Sequence, residues 1–304
     1  MSALARHLAS AARLLRAPEW AKNGFVVAPL LFSGQLFSAG AVRSVLLAFA
    51  ALCAVSSSVY IVNDILDAPR DRAHPRKRLR PIASGAISPM AAGLLAAGLA
   101  ALGFALLFAS RAPASAVLLT AGYLALNLAY SLYLKEKVIV DVLTIAVGFV
   151  LRVLIGGAVV GVAVTHWLIL CTFLLAAFLG FSKRRHELVL LGPEAKRHRP
   201  ILSLYSEDFL DRMSMLTLGM TLTCYILYTI SPETVARFGT TALVYSSLIV
   251  IFALFRYLFL IHVKKMGSPV EVLYYDRQIA LAVVGWVLYV VAVVYTWPAV
   301  SVIR

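Results

Sequence analysis

Stretches of about twenty apolar residues recur along this chain, and they restrict its fold more than any other feature. A helix needs roughly 20 residues to cross the hydrocarbon of a bilayer. Within that hydrocarbon only helices and closed barrels satisfy every backbone polar group. Apolar runs lie near residues 24–41, 44–62, 88–109, 113–134, 138–160, 164–182, 213–230, 239–261 and 279–298. A β-barrel would show short alternating segments instead. The chain therefore reads as an all-α polytopic membrane protein with nine transmembrane helices. The first run is the weakest, because Pro29, Ser33, Gly34 and Gln35 interrupt it, and the fifth carries Arg152. Charged residues make up 14% of the chain, against about 25% in a soluble domain.

The polar stretches between the runs set the expected orientation. Most of the 28 basic residues fall in the N-terminal segment and in the stretches after the second, fourth, sixth and eighth runs. The positive-inside rule places those stretches in the cytoplasm. It gives a multi-pass protein with a cytoplasmic N-terminus and an external C-terminus. The formal charge of +14 then answers to anionic lipid and calls for no nucleic acid. Residues 1–22 read as a basic amphipathic surface helix, with Arg6, Arg13 and Arg16 available to headgroups, and no cleavable signal peptide is expected. Polar loops near 63–87 and 183–212 are too short to hold a core of their own, so residues 1–304 read as one membrane domain. Cys53, Cys171 and Cys224 are scattered through apolar runs and suggest neither a disulfide framework nor a thiolate metal site. A homo-oligomer is compatible with the sequence, but no interface is readable in it.

Several polar clusters carry chemistry. Asn63 and Asp64, with Asp67 and Asp71, follow the second run. At 3.6 residues per turn the three carboxylates share a helix face, and like charges so placed repel. A divalent metal would compensate them, and hard oxygen donors suit magnesium carrying phosphate oxygens. Pro69 lacks an amide hydrogen, so Asp71 is expected beyond a kink. Lys183-Arg184-Arg185-His186-Glu187 closes the sixth run. Lys183 and Glu187 could simply pair at i, i+4, or the cations could bind phosphate. Tyr130, Tyr133, Lys135 and Lys137 form either an interface belt or, through Lys135, a diphosphate contact. Arg152 should face the bundle interior and meet an anion or a carbonyl; Asp141 shares its face but lies about 16 Å away. Lys22 is either a snorkelling lysine or an anion ligand. Glu207, Asp208 and Asp211 complement a helix N-terminus, and Asp276 caps the last helix.

Asn63-Asp64-x-x-Asp67-x-x-x-Asp71, Arg80-Pro81-Ile82, and the stretch Tyr130…Lys135…Asp141…Arg152 resemble the UbiA superfamily of intramembrane prenyltransferases over nearly the whole chain. Where that family usually has a second acidic run, this chain has Ser182-Lys183-Arg184-Arg185-His186-Glu187. That stretch, Trp20-Ala21-Lys22-Asn23, and Asp71-Arg72-x-His74-Pro75-x-Lys77-Arg78-x-Arg80 are similar to the decaprenyl-phosphate phosphoribosyltransferase branch. The resemblance implies a UbiA-like bundle that transfers phosphoribosyl from 5-phosphoribosyl 1-diphosphate to a polyprenyl phosphate, in the synthesis of a cell-wall arabinan precursor. It implies magnesium on Asp64, Asp67 and Asp71, leaving-group contacts from Lys22 and Lys135, and phosphate contacts from Lys183, Arg184 and Arg152. It further implies substrate contacts from Asn23, Asn63, Arg70, Arg78, Tyr130 and Tyr205, with Glu187 or Asp208 on a ribose hydroxyl.

Two rivals remain at this level. A prenyltransferase of the same fold would use an allylic diphosphate and an aromatic acceptor, but the second cluster is basic where such enzymes are acidic. A transporter would explain Arg152, but the sequence lacks an evident inverted repeat or paired broken helices, and its charges gather at one side.

Overall fold

A computed structural model describes residues 12–72, 77–192, 200–264 and 269–296. Among these, eight helices are long and apolar enough to cross a membrane. They are α1 (Ala39–Arg72), α2 (Pro89–Ala109), α3 (Ala114–Leu132), α4 (Val140–Val160), α5 (His166–Leu191), α6 (Glu207–Ile230), α7 (Ser246–His262) and α8 (Arg277–Tyr295). The expected count of nine is thus corrected to eight. The first apolar run forms no helix of spanning length. Ala17–Val27 is a 3-10 segment and Ala28–Leu31 a single α-turn. Gly34 then turns with a φ of 78°, ahead of α1. Pro18 and Pro29 lack the amide hydrogens that a continuous ladder needs, and glycine alone takes a positive φ without steric cost. The nine-crossing topology with an external C-terminus rested on that run and falls with it.

Local sequence sets the helix starts. Ser88 accepts from the Ala91 amide at 3.2 Å, with Pro89 in the first turn of α2. Thr165, Ser206 and Asp276 do the same for α5, α6 and α8. Each side chain satisfies one of the amides that a helix start leaves without a partner. Asp276 is the cap that the sequence indicated, whereas α6 is capped by Ser206, and Glu207 and Asp208 occupy its first turn.

The polar loops are shorter than expected, because helices continue into them. Pro69 does not break α1, which runs to Arg72 and keeps Asp71 on helix. α5 runs on to Leu191, past the end of its apolar stretch, and α6 begins at Glu207.

The chain divides into two compact units. The first comprises residues 1–29, 37–144 and 151–163, and the second 30–36, 145–150 and 164–304. In the first, α1 packs chiefly on α2 and also meets α3. Small residues allow the close approach: a Cβ on Gly103 would lie 2.5 Å from Val55 Cγ2 and 2.9 Å from the Ala51 carbonyl. Gly156 of α4 is tighter still, since a Cβ there would lie 2.0 Å from the Val26 carbonyl oxygen. In the second unit α5 packs on α6, and α7 on α8. Phe178, Leu218, Tyr257, Leu260 and Ile279 fill a core there. Large apolar side chains such as Leu94, Leu118, Leu248 and Leu281 remain about 70% exposed, as lipid-facing helices require.

Candidate active site

The acidic cluster lies near the C-terminal end of α1. Steps of three and seven residues rotate a helical side chain by roughly −60° and −20°. Asp64 and Asp71 are therefore nearly in line, and Asp67 is set to one side. The hydrogen bonds follow that division. Arg80 Nη1 donates to Asp64 at 3.0 Å and to Asp71 at 2.6 Å, so one guanidinium nitrogen joins two carboxylates. Arg16 also donates to Asp64. Asp67 accepts from Lys135 Nζ at 2.7 Å and from Asn63 Nδ2 at 2.9 Å. Asp64 and Asp71 are only 3% and 4% exposed, which makes this compensation necessary.

The sequence also explains how Arg80 reaches them. Ile87 and Gly85 donate backbone hydrogen bonds to Pro81 and Ile82 at 3.0 and 3.2 Å, with Gly85 at a φ of 78°. That turn buries Ile82 among Leu14, Ile61, Ala68 and Ala92. Arg16 is anchored similarly. Ser57 Oγ donates to the Leu15 carbonyl at 2.8 Å, Trp20 Nε1 donates to Ser57, and the Arg16 guanidinium lies 5.3 Å from the Tyr60 ring centre. Arg16 therefore serves an acid, where the sequence offered it to lipid headgroups. Residues 1–11 of the expected surface helix lie outside the described residues, as do 73–76 and 193–199 of the two loops.

A second polar group lies further along the same unit. Asn23 is buried between Ser56 Oγ, 3.1 Å from its Nδ2, and Arg152, whose Nε donates to its Oδ1 at 2.9 Å. Arg152 Nη2 donates to Tyr123 Oη at 2.7 Å, and the guanidinium lies 4.6 Å from that ring's centre. The expected inward-facing arginine is present, and it meets an amide and a phenol. Lys22 is turned to Glu19. Arg70 pairs with Glu136 at 3.2 Å at an exposed position. Arg78 is exposed, and Tyr130 is half-buried near the end of α3.

In the second unit the basic cluster lies on the last turns of α5. Arg184 is 2% exposed and donates to Glu187 at 2.8 Å, so Glu187 serves Arg184 at i, i+3. Arg185 meets Asp211 and, at 2.7 Å, Glu207 of α6. His262 Nε2 lies 3.2 Å from the same Asp211. Lys183 is half-buried one residue before. Asp208 forms an exposed pair with Arg212, and Tyr205 stacks on Phe209 with ring centres 5.9 Å apart.

Sequence reasoning missed four participants. Arg16 and Arg80 clasp the acids, Tyr123 supports Arg152, and Asp211 joins Arg185 to His262. Only Arg80 had a local signal, in Arg80-Pro81-Ile82. Among the described residues no group of three or more His, Cys, Asp or Glu is already spaced around a metal position. The donor set nonetheless fits a hard cation. Two carboxylates converge on one nitrogen of Arg80, a third lies one turn away, and all the donors are oxygen.

Residues 25–275 match the profile of the UbiA prenyltransferase family. The decaprenyl-phosphate phosphoribosyltransferase of Mycolicibacterium smegmatis is 30% identical over 297 residues, covering 93% of this chain and 92% of that one. The Corynebacterium glutamicum protein of the same name is 28% identical over 291 residues, covering 94% and 87%. Among solved structures, a UbiA homolog from Archaeoglobus fulgidus bound to GPP and Mg2+ superposes with a TM-score of 0.67 at 20% identity, covering 95% of this chain and 99% of that one.

Proposed function

The chain belongs to the UbiA prenyltransferase family, and from that premise we propose that it is a decaprenyl-phosphate phosphoribosyltransferase, as its bacterial relatives are named. It moves the 5-phosphoribosyl group of 5-phosphoribosyl 1-diphosphate onto a phosphate oxygen of decaprenyl phosphate. The C1–diphosphate bond breaks, a C1–O–P bond forms, and diphosphate leaves.

The observation that carries this reading is that the chain has an acidic helix end in its first unit and a basic one in its second. Asp64, Asp67 and Asp71 would hold magnesium, which supplies positive charge to the departing diphosphate. Lys135, 2.7 Å from Asp67, stands where it can donate to diphosphate oxygens as charge builds there. Arg16 and Arg80 hold Asp64 and Asp71 aimed before the donor binds. Asn63 fixes Asp67, and Asn23 with Tyr123 orients Arg152. Lys183 and Arg184 bind phosphate, since a guanidinium offers paired donors to such an anion. Glu187, held on Arg184, and Asp208 are the groups suited to a ribose hydroxyl. Lys22, Arg70, Arg78, Tyr130 and Tyr205 are further groups for substrate. The acceptor needs no general base, because a phosphate monoester is already anionic near neutral pH.

The C-terminal ends of α1 and α5 hold Arg70, Lys183 and Arg185, and the connections after α1, α3 and α7 hold Arg78, Lys135, Lys137 and Lys264. The positive-inside rule then directs the acidic and basic clusters to the cytoplasm, where the water-soluble donor is. These cations meet membrane lipid and substrate phosphates, with no role for nucleic acid.

Likeness to a fold that holds GPP and Mg2+ supports a second reading, prenyl transfer from an allylic diphosphate to an aromatic acceptor. The basic end of α5 counts against it, because an allylic donor brings no further phosphate for Arg184 to meet. Purified protein, magnesium, labelled phosphoribosyl diphosphate and a polyprenyl phosphate separate the two. Lipid-soluble label, lost on chelation and in Asp64→Asn, is the expected result. Product only from an allylic diphosphate and a hydroxybenzoate would replace the first reading by the second.

A further inference from the structure

About 31 Å along α1 from Asp64, at roughly 1.5 Å per residue, lies Arg43. That separation equals the thickness of a bilayer's hydrocarbon core, roughly 30 Å, so Arg43 sits at the membrane interface away from the acids. A cavity of about 480 Å³ opens there between the start of α1 and the end of α2. Arg43, Ser44 and Leu47 line it from α1, and Ser110 and Arg111 from the turn after α2. Among the described residues no carboxylate lines it, and neither guanidinium has a hydrogen bond or ion pair to a protein group. Two unanswered guanidinium groups on one cavity repel each other until an anion joins them. Arg237, in the α6–α7 connection, is different: it donates to the Phe32 carbonyl at 2.9 Å. The reaction proposed above uses neither Arg43 nor Arg111.

The surroundings select the kind of anion. Leu46 and Phe108 flank the two arginines and are 60% and 65% exposed. A free phosphate would leave this apolar surface uncovered, whereas acyl chains of a lipid would lie along it. We propose that Arg43 and Arg111 bind the phosphate of an anionic membrane phospholipid, with the Ser44 hydroxyl as a further donor and the acyl chains on Leu46 and Phe108. The site belongs to the leaflet opposite the acidic cluster. There it fixes the α2–α3 turn, in which Arg111 holds a φ of 55°, a region costly for a side chain other than glycine.

Native mass spectrometry of the full-length protein tests this, with phosphatidylglycerol, phosphatidylcholine and inorganic phosphate added in separate arms. The expected result is retained phosphatidylglycerol, at least fivefold more than phosphatidylcholine, that falls at least fivefold in Arg43→Gln/Arg111→Gln. Arg43→Lys/Arg111→Lys should keep most of it. Transfer activity reports folding of each variant, since neither residue belongs to that machinery. If the double glutamine variant does not fold, the exposed single variant Arg43→Gln takes its place, with at least a twofold loss expected. Equal retention in the glutamine variants, or no preference for the anionic lipid, overturns the site. Inorganic phosphate bound as well as the lipid overturns the lipid as its occupant.

Discussion

The acidic end of α1 and the basic end of α5 are built on the same plan with opposite signs. Each is a helix prolonged beyond its apolar run, and each carries three like charges that other groups answer. The answers differ in origin. The acids of α1 are met by Arg16, Arg80 and Lys135, from three separate segments. The cations of α5 are met within α5 by Glu187 and from α6 by Glu207 and Asp211. They differ also in burial. Asp64 and Asp71 are almost fully enclosed, whereas the side chains of Glu207 and Asp211 are 54% and 35% exposed. Loss of a cation at α1 strands a buried carboxylate. Loss of an arginine at α5 leaves acids that water can solvate.

The largest effect should come from Asp64→Asn. Removing a carboxylate that would hold the metal should cut phosphoribosyl transfer by about 10²–10³-fold, read as lipid-soluble label, with the fold retained. A variant as active as the parent would end the assignment of the metal to the α1 end. Next comes Arg80→Gln, which takes the shared donor from two buried acids while Arg16 remains on Asp64. A loss of about 2 kcal/mol is expected in denaturant unfolding. Arg185→Gln, whose partners are exposed, should cost under about 1 kcal/mol. Equal losses in these two variants would erase the contrast between the ends.

Arg184→Gln sharpens the functional side of the comparison. As a phosphate contact it should raise the KM for one substrate about tenfold, or roughly 1.4 kcal/mol, and change kcat less. The smallest effect belongs to Asp276, which lies outside both ends. The hydrogen bond from Arg256 holds its carboxyl below the usual range. That ion pair stabilises the protein above the unfolded carboxylate pKa of about 3.9, and its contribution is lost as pH falls through the lowered folded value. Asp276→Asn keeps the cap and should cost less than about 1 kcal/mol at pH 7. The difference from the parent should fade in acid, and a pH-independent difference would show that the charge contributes nothing.

How legible these ends were follows from where their partners lie. The Asp64, Asp67 and Asp71 spacing is a local pattern, and a fixed helical repeat converts it directly into a shared face. Arg16 and Arg80 are 48 and 16 residues from Asp64, and no periodicity links loop arginines to a helix. Tyr123 is 29 residues from Arg152 and looked like one more aromatic in an apolar run. Helix α1 continues through Pro69 to Arg72, because a proline near a helix end removes few ladder bonds. The prolines and glycines of the first run carried the opposite message. They marked it as the weakest run, and it proved to be 3-10 backbone, a single α-turn and a bend at Gly34. The basic end of α5 was readable as composition. Its division into a buried Arg184 paired within α5 and a partly buried Arg185 paired with α6 depended on which neighbour each one faced.

The seating of the 3-10 segment on Gly156 also bears on how the protein is made. Asn23 is held by Arg152, 129 residues later in the chain, and Val26 lies against Gly156 of the same helix. A ribosome adding roughly 5–20 residues per second needs about 6–26 s to cover that distance. Throughout that interval the first apolar segment exists without the surface that completes it. A segment made well before α4 is thus completed only with it, and its assembly keeps time with the emergence of α4.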